Sequence, residues 1–326
     1  MAKKKILLIL TGGTISMDTH RDLSSNILHL QQERLLKINN QMLNDIEFET
    51  HVFAMKPSPH ITPHDMLQLA QFIDENVKSN KYEGFVITHG TDTLEETAFF
   101  LDLYFSDLSL PIVITGSMRN FSDIAYDGLN NIVSALLVSG HQDASKHGVL
   151  VVLNDVINTA REVTKSHTVS LDTFKSLDFG PIGIIDDYEI LFYREIPWKF
   201  HVPKIDSITS KVYIYQTFTG DDGNLLDAYY DADALIIEGF GRGNIPPLLA
   251  HKIKKLIDGN VTILISSRVP MGRVFGTYPY EGGGGQLSKL GCLLSPQLNS
   301  QKARILVMYA LSAHLDIKEL VNKNRI

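Results

Sequence analysis

Through its N-terminal two thirds, this chain alternates short apolar runs with helix-length amphipathic stretches. That alternation is the strongest constraint on its fold, because it predicts βαβ units and a mostly parallel sheet faced by helices. Strands are expected at residues 6–10, 51–55, 85–88, 112–115 and 149–153, with helices between them. The stretch from Thr62 reads as helix: Thr62 can cap it, Pro63 suits the first turn, and Met66, Leu69, Ala70, Ile73 and Val77 share one face. A second helix is expected to open at Thr93-Leu94-Glu95-Glu96, where a threonine followed three residues later by glutamate makes a capping box. Leu94, Ala98, Leu101 and Phe105 form its apolar stripe.

Between residues 178 and 210 the helical period is lost, and short β-like runs are broken by Gly180-Pro181, Pro197 and Pro203. From Lys211 the alternation resumes, with strands expected near 212–216, 234–238 and 261–266 and helices near 246–257, 300–315 and the C-terminus. At 326 residues the chain is long for one domain. The expected architecture is α/β: a larger N-terminal, mostly parallel, flavodoxin- or Rossmann-like domain over 1–190, a linker over 191–210, and a smaller C-terminal α/β domain over 211–326. Four successive glycines at 282–285 suggest a mobile loop.

Composition excludes several classes of function. A formal charge of −7 with no long run of one sign offers nothing to nucleic acid or to a membrane surface. No apolar run reaches the ~18–20 residues of a membrane span. The start, Met1-Ala2-Lys3-Lys4-Lys5, is basic, but the apolar stretch after it is shorter than the ~7–15 residues of a signal peptide, so it reads as a first strand. The single cysteine, Cys292, cannot form an intrachain disulfide and fits a reducing compartment. A cytoplasmic protein acting on a small molecule is expected.

Four polar clusters each follow an expected strand: Thr11-Gly12-Gly13-Thr14, Lys56-Pro57-Ser58-Pro59, His89-Gly90-Thr91-Asp92 and Gly116-Ser117-Met118-Arg119. Open parallel sheets bind ligands outside the carboxyl ends of their strands, so these clusters should converge in space. Any one alone is an ordinary turn or helix cap; their conjunction on one sheet edge points to a site. The paired glycines let backbone approach a ligand, and Thr14 then offers a hydroxyl that can attack a carbonyl once a base takes its proton. Thr91 supplies a second hydroxyl and Asp92 a carboxylate for a substrate amine, while helix N-termini and loop amides can stabilise an oxyanion. Lys165 could hydrogen-bond Thr91 in a proton relay, a role that suits lysine if partial burial lowers its pKa toward neutrality. His60 and His64 flank a helix start near Asp65 without a third partner at ligand spacing, so no metal is expected. Gly239-Phe240-Gly241-Arg242-Gly243 lacks the full dinucleotide fingerprint, and no P-loop occurs, so no nucleotide cofactor is expected either.

At these residues the sequence resembles the bacterial-type L-asparaginases. The resemblance rests on Thr11-Gly12-Gly13-Thr14-Ile15, on the run from Gly84 through Thr88-His89-Gly90-Thr91-Asp92-Thr93 to Thr97, and on Val163-Thr164-Lys165. Further matches at 148–152, Ser267-Arg268-Val269-Pro270 and Gln301-Lys302-Ala303-Arg304 extend it over nearly the whole chain. The resemblance implies hydrolysis of L-asparagine to L-aspartate and ammonia through an acyl-threonine intermediate, without cofactor. It assigns Thr14 as nucleophile, Thr91, Asp92 and Lys165 as a second triad, Asp92 also to the substrate's α-amine, and Ser58 to its α-carboxylate. It further implies a homodimer or homotetramer whose sites are completed by a neighbouring subunit, with Asn244 as a candidate for that contribution. Two departures stand out. The family's tyrosine after the nucleophile is missing, since no tyrosine lies between Thr14 and Tyr82, which leaves the base for Thr14 unassigned. The glutamate that periplasmic members place near the site has no secure match, although Glu281 lies close in sequence; this and the short apolar start resemble the cytoplasmic type. Two other readings stay open at this point: an ammonia-generating subunit of a tRNA-dependent amidotransferase, and a non-catalytic asparagine-binding regulator.

Overall fold

The structure, a computed structural model, describes residues 3–13, 15, 43, 45–196 and 200–323. Thr14, the expected nucleophile, and Pro197 of the expected linker lie outside the described residues. The chain divides into two compact units, residues 1–201 and 202–326.

The first unit is built on β1 (Lys4–Leu10), β2 (Ile46–Val52), α1 (Pro63–Lys78), β3 (Gly84–Thr88), α2 (Leu94–Tyr104), β4 (Ile112–Thr115), α3 (Gly128–Gly140) and β5 (Val149–Leu153). It continues with β6 (Val156–Thr159), a two-stranded antiparallel pair β7 (Val163–Lys165) and β8 (Phe174–Ser176), then β9 (Gly183–Asp186) and β10 (Glu189–Phe192). Eight strands form one sheet in the order β10-β9-β6-β5-β4-β3-β1-β2. From β5 to β2 every pairing is parallel, whereas β6, β9 and β10 extend the sheet antiparallel beyond β5. The parallel portion therefore has the order 2-1-3-4-5, whose topological switch point lies between β1 and β3.

Both faces of the central strands are buried, which is why they read as continuous apolar runs rather than as alternation. On one face Ile6, Leu8, Leu10, Val86, Val113, Leu150 and Val152 pack with Ile132, Val133, Ala135, Leu136 and Val138 of α3. Each of these Val, Ile and Leu side chains contributes roughly 1.5–3 kcal/mol when fully buried. On the other, α2 contacts β4 and β5, and α1 packs on α2. The N-terminus of α1 carries the full capping box, with Thr62 accepting from the Asp65 amide at 3.2 Å and Asp65 accepting from the Thr62 amide at 2.9 Å.

Two sequence expectations are corrected here. The second strand runs over Ile46–Val52, not 51–55: as the sheet edge it is only half-buried and carries Glu47 and Glu49, so it lacks the apolar run of its neighbours. Thr93 sits before α2 but makes no side-chain cap; its hydroxyl donates instead to the Ser58 carbonyl at 2.8 Å. The short β-like runs expected after residue 178 include β9 and β10, which pair into the large sheet.

The second unit holds β11 (Val212–Gln216), β12 (Ala234–Gly239), α4 (Pro247–Asp258), β13 (Thr262–Ser267), α5 (Gly284–Leu290), β14 (Leu293–Leu294), α6 (Ser300–Ser312) and α7 (Ile317–Lys323). Its four strands are all parallel, in the order β11-β12-β13-β14. Leu249, Ala250, Ile253 and Leu256 of α4 pack with Leu235, Ile237, Ile263 and Ile265 of the sheet. The glycines at 282–285 are a packed entry into α5 rather than an open loop. A Cβ on Gly282 would lie 2.1 Å from the Ile245 carbonyl oxygen, and one on Gly283 would lie 2.5 Å from that of Tyr278. Among the described residues no helix is long and apolar enough to cross a membrane.

Candidate functional site

The loops leaving β1, β2, β3 and β4 meet at the switch point, and glycine is what lets them meet. A Cβ on Gly13 would stand 2.3 Å from the Gly90 Cα, and one on Gly90 would stand 2.8 Å from the Ser58 Cβ and Oγ. A Cβ on Gly12 would strike the Lys56 backbone nitrogen at 2.6 Å, and one on Gly116 the His89 carbonyl oxygen at 2.6 Å. Gly12 and Gly13 also have φ of +102° and +84°, which other residues rarely adopt. Hydrogen bonds reinforce the packing: Thr11 donates from its hydroxyl to the Thr88 carbonyl at 2.8 Å, and the Lys56 amide donates to the Thr11 carbonyl at 3.1 Å.

Around this junction the structure gathers four of the five expected site residues. Lys165, at the end of β7, donates from Nζ to Thr91 Oγ1 at 2.9 Å and to Asp92 Oδ1 at 2.7 Å. Ser58, 4% exposed, accepts at its hydroxyl from the Asp92 amide at 3.2 Å. Thr91 is buried, the Lys165 side chain is 17% exposed, and that of Asp92 is 60% exposed. The Lys165 amine is thus set between a buried hydroxyl and a carboxylate open to solvent. Thr14 lies outside the described residues, but both of its neighbours are placed: Gly13 on Gly90, and Ile15, whose carbonyl accepts from the Tyr126 hydroxyl at 2.9 Å.

The supporting contacts explain why the loops hold their shape. The two ends of the β2–α1 loop are tied by Asp65, whose Oδ1 accepts from Lys56 Nζ at 2.6 Å while Oδ2 accepts from the Thr62 amide and hydroxyl. Burial raises the Asp65 pKa, but the hydrogen bonds from Lys56 and Thr62 outweigh it and hold the carboxyl below its ordinary value. Asp65 is therefore committed to this clip, although His64 stands beside it in sequence. The β4 loop is held by Asp127, which accepts from the amides of Met118 and Arg119 at 3.0 Å each and from Asn131 Nδ2 at 3.0 Å.

His89, next to the glycine at the junction, is fully buried, and burial depresses its pKa to about 4 against the opposing hydrogen bond to the Gly90 carbonyl. The ring is neutral at physiological pH. Its Nδ1 lies 2.8 Å from the Gly90 oxygen, which accepts, so Nδ1 carries the proton and Nε2 accepts from the Thr97 hydroxyl at 3.0 Å. With both ring nitrogens occupied, His89 braces the Gly90–Thr91 peptide.

In the second unit, Asn244 accepts at Oδ1 from the Gly284 amide at 3.3 Å, and Glu281 pairs with His251 Nε2 at 2.6 Å. Asp127 and Tyr126 had no sequence signal, because they act through partners outside their own element, whereas the clip carboxylate Asp65 stands three residues after Thr62, the spacing of a capping box. Among the described residues, no group of three or more His, Cys, Asp or Glu is arranged to hold a metal ion.

Two family models match the chain: one described as asparaginase, N-terminal, over residues 5–198, and one described as glutaminase/asparaginase C-terminal domain, over residues 211–322. An L-asparaginase of Bacillus licheniformis is 33% identical over 316 residues, 95% of this chain and 96% of the relative. A Haemophilus influenzae protein named probable L-asparaginase periplasmic is 33% identical, over 94% of this chain and 83% of that one. Among solved structures, a probable cytoplasmic L-asparaginase from Campylobacter jejuni matches with a TM-score of 0.83 and 31% identity, over 98% of each chain.

Proposed function

Starting from the fact that the chain belongs to the bacterial L-asparaginase family, we propose that it hydrolyses L-asparagine to L-aspartate and ammonia, with Thr14 as nucleophile. The observation that carries this reading is the position of Lys165 Nζ, 2.9 Å from Thr91 Oγ1 and 2.7 Å from Asp92 Oδ1, where the loop leading to Thr14 packs on Gly90.

The Thr14 hydroxyl oxygen attacks the side-chain amide carbon of asparagine. The C–N bond breaks, the nitrogen takes the proton given up by the Thr14 hydroxyl and leaves as ammonia, and an aspartyl ester remains on Thr14. Water then attacks the ester carbon, its proton returns to the threonine oxygen, and aspartate is released. Thr91 and Lys165 carry the proton to the leaving nitrogen and take it from the water. Asp92 spends Oδ1 on Lys165 and, being open to solvent, offers Oδ2 to the substrate ammonium. Ser58, fixed by the Asp92 amide, offers its hydroxyl proton to the α-carboxylate. Loop amides around Gly13 and Thr91 stabilise the oxyanion. The partner is a small molecule, and a homodimer or homotetramer completes each site from a neighbouring subunit. We place the protein in the cytoplasm, a reading supported by its single cysteine and by the Campylobacter jejuni structure.

Ammonia release from asparagine by the purified protein tests the assignment directly. Wild type should release ammonia and Thr14→Ala should not. Undiminished release by Thr14→Ala would remove Thr14 as nucleophile, and no release by wild type would remove the activity.

A further inference from the structure

The residue after the expected nucleophile is gripped from another loop. Tyr126, in the β4–α3 connection, donates from its hydroxyl to the Ile15 carbonyl oxygen at 2.9 Å, a bond spanning 111 positions of sequence. Ile15 itself is 1% exposed and packs in the core under α3.

The phenol ring that makes this bond is held on several sides. Phe121 meets it edge-on, with centroids 5.4 Å apart and planes at 71°. Gly128 passes so close beneath it that an added Cβ would lie 2.1 Å from the Tyr126 hydroxyl oxygen and 2.3 Å from Cζ. The loop carrying the ring is in turn fixed by Asp127 to the amides of Met118 and Arg119. Tyr126 is thus a rigid post. On the other side of position 14, Gly13 is seated on the Gly90 backbone.

We propose that Tyr126 is a positioning residue for the nucleophile: by fixing the Ile15 carbonyl it completes, with the Gly13–Gly90 contact, a two-sided anchor on the residues that flank position 14. This rests on the reading of Thr14 as nucleophile. Tyr126 acts on backbone, not on substrate, so its hydroxyl matters to the attack step and not to substrate binding. A reacting atom held in near-attack geometry is sensitive to displacements well below the size of the substrate. Kinetically, the anchor should appear in kcat and leave KM alone.

The test uses the full-length protein and steady-state ammonia release with asparagine. Tyr126→Phe keeps the ring and its packing and removes the hydroxyl that donates to the Ile15 carbonyl. We expect kcat to fall about tenfold, the factor a lost hydrogen bond of ordinary strength supports. KM should stay within about twofold, and the thermal midpoint within roughly 4 °C of wild type. Gly128→Ala pushes the phenol aside without altering its chemistry and should reproduce the loss of kcat. Because both act through one bond, the double variant should lose no more than the worse single variant. An unchanged kcat in Tyr126→Phe, while Thr14→Ala is inactive, overturns the inference and leaves the nucleophile standing; activity in Thr14→Ala overturns both. Loss of the alkaline limb of the kcat–pH profile in Tyr126→Phe also overturns it, because the hydroxyl would then be transferring a proton rather than holding a carbonyl.

Discussion

Substituting Gly13 by alanine should separate the geometry of the site from the stability of the fold. The residue has φ of +84°, and a Cβ there would lie 2.3 Å from the Gly90 Cα and 2.4 Å from the Gly90 nitrogen. An ordinary contact begins near 3.4 Å, so the β1 loop must retreat by about 1 Å (3.4 − 2.3). The obstacle is backbone and cannot rotate away. Gly90 has no room behind it either, since its own missing side chain faces Ser58 at 2.8 Å. A displacement of about 1 Å at reacting groups costs on the order of 10²-fold in rate, or about 2.7 kcal/mol of activation free energy. The left-handed φ adds roughly 1–2 kcal/mol of destabilisation. Gly180→Ala is the matched control, with φ of +72° and nothing within 4 Å of its Cβ position. Both variants should show the conformational loss in urea melts, whereas only Gly13→Ala should lose kcat for ammonia release. A kcat for Gly13→Ala within tenfold of wild type, or an equal loss in Gly180→Ala, would refute the close-packed junction as the reason for the glycine.

Two further outcomes follow from the contacts described. Lys165→Met removes the group between Thr91 and Asp92 and should lower kcat by on the order of 10²-fold or more, the usual worth of general acid–base assistance; a change under tenfold, read by the same ammonia assay, excludes Lys165 as an essential relay. His89 has a folded pKa near 4 against 6.5 unfolded, so between these values the unfolded chain binds a proton that the folded chain refuses. Its contribution is present in full above about pH 6.5 and is lost as pH falls to 4, by roughly 3 kcal/mol in total. Urea melts across that window should show the decline, and His89→Gln should flatten it; a wild-type curve no steeper than that of the variant counts against the buried neutral ring.

Much of the fold was legible because the central strands are buried on both faces. Strands covered on both sides must be apolar throughout, and β1, β3, β4 and β5 were readable within a residue or two for that reason. β2 escaped because an edge strand with half-exposed residues has no such signature. The Thr93 capping box has the right spacing, yet its hydroxyl found a better-placed carbonyl at Ser58, 35 positions away. The glycines at 282–285 look like a flexible spacer in one dimension, but in three a Cβ on any of them would press on the backbone of Ile245, Tyr278 or Phe275.

The site divides along the same line. By itself the sequence determined which chemical groups are available, and, from the strand-then-turn order, that they lie at the carboxyl ends of one sheet. Residue type and period are local properties, and they suffice for that much. Only the tertiary structure decided that Gly13 rests on Gly90, that Lys165 reaches both Thr91 and Asp92, and that Tyr126 holds the carbonyl next to position 14. These are contacts between segments tens of residues apart. Their distances depend on how the sheet and its loops pack, a property that no local pattern of side chains contains.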